Sequence, residues 1–162
     1  MASRLNSFND ANLHHREKSE VQLNLTARQV AIFTIIVHLA VATLHGRAHQ
    51  ELNIQLTKAE LVFILLVITA APLVAGVLVA LQRFRSAGII LAVSMFGSML
   101  FGLWHHYIAM SPDHISQIWY LPNRLWSLIF QLTSAALALI ELFGTAVGLL
   151  LINSPAEDVG RS

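Results

Sequence analysis

Apolar residues in this chain run in long unbroken stretches, and the polar positions sit between them. Eighteen uncharged residues separate Arg28 from Arg47, 22 separate Glu60 from Arg83, and 27 separate Arg85 from Asp113. From Leu125 to Ala156 there are 32 residues with a single charge, Glu141. A membrane-crossing helix needs about 20 mostly apolar residues. The pattern therefore predicts four spans, roughly 28–46, 59–81, 87–109 and 125–152. Without water in the bilayer core the backbone must bond to itself, so each span is expected to be a helix.

Local signals mark the ends. Thr26 with Gln29, and Thr57 with Glu60, read as capping boxes at helix starts. Ser86 and Asn123 are candidate caps for the third and fourth helices. The link from Gln82 to Arg85 is short enough to make the second and third helices antiparallel neighbours. Pro72 and Gly76 are expected to bend the second.

The predicted fold is thus all-α, an integral membrane four-helix bundle threaded up-down-up-down. The division is a polar N-terminal tail over 1–25, a transmembrane domain over 26–153 and a C-terminal tail over 154–162. With both termini on one side, that side holds Arg4, Arg16, Lys18, Arg28, Arg83, Arg85 and Arg161, and the other holds Arg47, Lys58 and Arg124. The excess of Lys and Arg on cytoplasmic loops places both termini in the cytoplasm. All three Trp and both Tyr then fall near the outer face.

Composition agrees. Of 162 residues 56% are hydrophobic and 12% charged, against about 25% charged in a soluble domain. A formal net charge of +1 gives no reason to expect a nucleic-acid partner. The absence of cysteine excludes disulfides, iron–sulfur clusters and thiolate zinc sites. The expected partners are membrane lipids, with a second copy or a larger membrane complex as a further possibility.

Histidine is what changes the picture. The chain has eight. Setting aside His14 and His15 in the polar tail, five of the remaining six (His45, His49, His105, His106 and His114) gather at the outer ends of spans one and three and in the loop that follows. Neutral imidazole is the commonest protein metal ligand and a proton carrier near neutral pH. His45 and His49, four residues apart, share a helix face. One more His from span three makes the three nitrogens of an open zinc site. Copper would also accept Met99 or Met110. A b-type haem could take His45 with His105 or His106 as axial ligands. The candidate metal ligands are therefore His45, His49, His105, His106 and His114, for copper, zinc or iron. His45, His105 and His106 are the candidate haem ligands.

Glu141, the one carboxylate in the interior of a span, and His38, the one deep imidazole, are the candidate catalytic residues. With Gln131 they could lead protons toward the outer histidines. The turn Ser111-Pro-Asp-His114 could bring Asp113 or His114 over that site. The function expected is a metal- or haem-binding membrane protein with a redox or metal-dependent role. The alternatives are a non-enzymatic subunit or scaffold, and a lipid or isoprenoid enzyme using His and Glu as acid and base.

Overall fold

The computed structural model describes the backbone of residues 2–153 and the side chains of residues 26–153. Everything regular in that range is helical. The elements are α1 (Ala2–Glu51), α2 (Lys58–Ala80), α3 (Phe84–Ile108), the short α4 (Ile115–Ile118) and α5 (Arg124–Ile152). Four helices are long and apolar enough to cross a membrane, with Thr26–Glu51 as the crossing part of α1. The sequence pattern located all four. The C-terminal tail predicted over 154–162 lies outside the described residues.

Some predicted ends hold and others move. Thr57 and Glu60 form the expected capping box, with Glu60 N–H donating to Thr57 Oγ1 and Thr57 N–H to the Glu60 carboxylate. Asn123 caps α5 by accepting from Trp126 N–H. Thr26 starts nothing, because α1 is already helical from Ala2 and runs through it. Ser86 is likewise inside α3, which begins at Phe84 without a side-chain cap. Tight left-handed turns end α1 and α2. Asn53 (φ 54°) lets Ile54 N–H bond back to His49 O, and Gln82 (φ 60°) lets Arg83 N–H bond back to Leu78 O.

Two helices carry a widened turn. Ala71 N–H bonds to Leu66 O, and Ala109 N–H to Trp104 O, five residues back rather than four. Such π turns rotate the following side chains and recur at functional sites. The second one spans Trp104–Ile108 and so carries His105 and His106.

The buried positions follow a seven-residue repeat, the seam of packed helices. On α1 they include Ala31, Thr34, Ile35, His38, His45, Ala48 and His49. On α5, Ser127, Ser134, Glu141 and Gly148 fall at one heptad position. The α3–α5 seam is the closest. A Cβ added at Gly148 would lie 2.6 Å from Ala92 N and 2.8 Å from Gly88 O, and one added at Gly88 would lie 2.6 Å from Gly148 O. Only glycine permits that backbone contact, the means by which helices associate where lipid gives no hydrophobic drive. Beside the seam lies a core of Ala31, Ile35, Ala75, Val79, Leu91, Met95 and Leu151. The helix α2 is the least buried of the four, in keeping with its nearly unbroken apolar sequence.

Gly148→Val is expected to force α3 and α5 apart and to cost about 1–3 kcal/mol, the usual penalty for overpacking. Gly46→Ala, where an added Cβ meets nothing within 4 Å, is expected to leave stability unchanged or raise it. Denaturant unfolding of both variants in detergent micelles measures the difference.

Candidate metal centre

Three of the five predicted ligands converge. His45 and His49 come from one face of α1, and His106 comes from the π turn of α3. All three are buried, and one ligand atom from each lies within 4.8 Å of the others. The set could hold a metal ion. Phe130 of α5 closes one side, with its ring centroid 4.6, 4.9 and 5.1 Å from those of His45, His49 and His106.

The hydrogen bonds around the rings fix which nitrogens are free. Thr133 Oγ1 gives its proton to Ile129 O at 2.7 Å, so toward His45 it can only accept. His45 Nδ1–H therefore donates to Thr133 Oγ1 at 2.9 Å, and Nε2 carries the lone pair. His106 Nδ1–H donates to the Asp113 carbonyl at 3.2 Å and faces its carboxylate Oδ2 at 3.3 Å. That leaves a second lone pair on His106 Nε2. The two Nε2 atoms stand 3.2 Å apart. Two lone pairs at that distance repel unless a cation or proton lies between them. Around a tetrahedral ion with bonds of about 2.0–2.1 Å, neighbouring nitrogens sit roughly 3.3 Å apart. A ligating imidazole whose other N–H is held by a carboxylate, carbonyl or hydroxyl is the usual surround of a metal site.

Asp113 is the carboxylate of this arrangement. The Ser111–His114 turn predicted from sequence forms, closed by His114 N–H donating to Ser111 O at 3.0 Å. Ser111 Oγ donates to Asp113 Oδ1 at 2.6 Å. Burial works to raise the Asp113 carboxyl, but the hydrogen bonds from His106 and Ser111 outweigh it and hold it down at about 2. Asp113 is thus ionised wherever a metal would bind.

The other two predicted ligands are placed elsewhere. His105 lies on the α2 side of α3, with Nδ1 3.5 Å from Glu60 Oε1 and its ring 4.4 Å from that of Phe101, which stacks on Phe63. Adjacent helical residues point about 100° apart, so His105 and His106 cannot serve one ion together. His114 is the N-cap of α4 and accepts from Ser116 N–H. Met110 is 77% exposed and turned away, whereas Met99 stays on the wall of the adjoining cavity.

No protein-family model, curated protein or solved structure matches the chain. Its chemistry must be read from the site itself.

That site opens into a cavity of about 460 Å³ among all four long helices. His45, His49, His106 and Asp113 line one end, and Ser98 and Glu141 the other. The predicted catalytic pair meets at Glu141, with His38 behind the cavity wall, its Nδ1 3.8 Å from Glu141 Oε1, and Ser98 Oγ donating to the same oxygen. Gln131 does not line the cavity; Ser134 does.

Four contributors escaped the sequence reading. Thr133 and Phe130 are on α5, where the sequence offered only Gln131 and Glu141 as candidates. The Ile68 carbonyl, which accepts from His38 Nε2 at 3.0 Å, and Glu60 both belong to α2, on which the sequence offered no candidate site residue. The signal for Ile68 was present in Pro72, four residues on, which has no N–H to offer that carbonyl.

In the metal-free protein Asp113 is expected to make stability depend on acid. Its folded value lies below the ordinary one, so the unfolded chain binds more protons and the contribution is complete above about pH 4. It is lost as pH falls toward 2. Asp113→Asn is expected to remove that part of an acid-unfolding curve followed by circular dichroism.

Proposed function

We propose that this protein is a multi-pass membrane protein whose three-histidine centre, His45, His49 and His106, binds a divalent transition-metal ion for a metal-dependent role. The observation that carries the reading is the approach of His45 Nε2 to His106 Nε2, 3.2 Å apart, with each ring held by a partner on its other nitrogen. His49 supports it with a buried Nδ1 that has no hydrogen-bond partner among the described residues.

A small ion suits this geometry better than a haem. A bis-imidazole haem places its macrocycle between two rings. Here the His45 and His106 centroids are 5.0 Å apart, with His49 and Phe130 against both. No planar slot separates them. Three imidazoles without thioether or thiolate favour zinc, and copper or iron are the other ions that accept this set. Three protein ligands leave a fourth position open, as in catalytic rather than structural zinc sites. The cavity wall beside that position is mainly apolar, with residues such as Leu39, Ile54, Leu61 and Phe101. An enzyme acting on an apolar or lipid-like substrate is therefore the reading we favour over a scaffold subunit.

The membrane topology belongs to the same proposal. The helices thread up-down-up-down, and the Lys and Arg asymmetry places both termini in the cytoplasm and the histidine end at the outer face. Exposed Trp104, Trp119 and Tyr120 sit at that end, where amphipathic rings anchor at headgroups. Lipids cover the exposed apolar residues of all four helices.

The protein purified in mild detergent is expected to bind close to one equivalent of metal, read by elemental analysis after dialysis against zinc, copper or iron. His45→Ala, His49→Ala and His106→Ala should each abolish stoichiometric binding. Asp113→Asn should weaken it about 10–100-fold, the usual cost of losing such a partner. His105→Ala and His114→Ala should bind as the unsubstituted protein does. Equal loss in all five histidine variants, or no metal in the unsubstituted protein, overturns the reading.

A further inference from the structure

The floor of the cavity holds a second polar group, away from the histidine centre. His38 is two helical turns before His45 on α1, and Glu141 is two turns beyond Ser134 on α5, about 10 Å at 1.5 Å per residue. His38 is 0% exposed. Its Nε2–H donates to Ile68 O, a carbonyl that an α-helix would pair with the N–H of residue 72. Residue 72 is proline and has none. The His38 tautomer is therefore set by a helix defect on the neighbouring element.

With the hydrogen on Nε2, Nδ1 carries the lone pair. It is buried, has no hydrogen-bond partner among the described residues, and faces Glu141 Oε1 at 3.8 Å. Facing an ionised carboxylate, that lone pair would repel it. Facing a carboxylic acid, it accepts a hydrogen bond once the two side chains close by less than 1 Å to normal contact. Ser98 Oγ holds the same carboxyl from α3.

We propose that Glu141 is a proton-binding site at the floor of the cavity, carrying a proton that it donates to His38 Nδ1. The side chains that face it are His38 from α1 and Ser98 from α3, and Ile68 and Thr69 of α2 line the same cavity. The other titratable groups on the cavity wall are His45, His49, His106 and Asp113, all at the opposite end. The proton is exchanged through the cavity. Its use in chemistry at the histidine centre rests on the metal-binding reading; its presence on Glu141 does not.

Infrared spectroscopy of the full chain in lipid bilayers, with no metal added, tests this independently of metal binding. At neutral pH the protein is expected to show a carboxylic-acid carbonyl band that shifts in D2O and is lost in Glu141→Gln. In His38→Leu the band should move to the frequency of an acid without that acceptor. A protein with no acid band at neutral pH, a band that survives Glu141→Gln, or a band unmoved in His38→Leu overturns the proposal. If either variant fails to fold, ring-nitrogen NMR of the unsubstituted protein decides. A neutral His38 with its hydrogen on Nε2 supports the proposal, and a doubly protonated ring overturns it.

Discussion

The contact between α3 and α5 at Gly88 and Gly148 sets the spacing on which everything farther along those helices depends. There the two backbones meet with no side chain between them. Following the pair away from that point, Met95 packs on Gly144, Ser98 reaches Glu141, Tyr107 reaches Ser134, and His106 reaches Phe130. Side chains grow along the seam from none to whole rings, so the helices diverge and a cavity opens between them. The histidine centre lies at the wide end of that wedge, where three imidazoles and a phenyl ring fit.

An apolar surround then decides how each polar atom behaves. A buried polar group without a partner costs several kcal/mol in hydrocarbon, so nearly every one in this bundle is bonded. Thr34, Thr133 and Thr145 return their hydroxyl protons to their own helices. Among the exceptions, His38 Nδ1 and His49 Nδ1 belong to the two groups at either end of the cavity. The remaining two, Ser127 Oγ and Gln131 Nε2, have no explanation in the structure.

The two groups share one device, a partner on one ring nitrogen that fixes the role of the other. Thr133 does this for His45, Asp113 for His106, and the proline-freed carbonyl of Ile68 for His38. None of these partners belongs to the helix that carries its histidine. Asp113 also adds a fixed negative charge beside the three imidazoles, suited to a cation there.

How much of this was legible beforehand follows from range. Span number, span position, the Thr57 cap and the Ser111–His114 turn depend on hydropathy and neighbours within four residues, and the sequence carries them. The i, i+4 pair His45 and His49 is local in the same sense. The choice of His106 over His105 is not, because a π turn and the rotation of α3 about its axis determine which ring faces α1. The roles of Thr133 and Ile68 likewise needed contacts between helices, where hydrogen bonding is decided by an ångström or two of approach, whereas Asp113, seven residues beyond His106, was one of two residues the turn offered from sequence. The sequence by itself determined that four apolar helices would form and that imidazoles would collect at one end. Only the tertiary structure decided which nitrogens face one another, because packing alone fixes how each helix is turned.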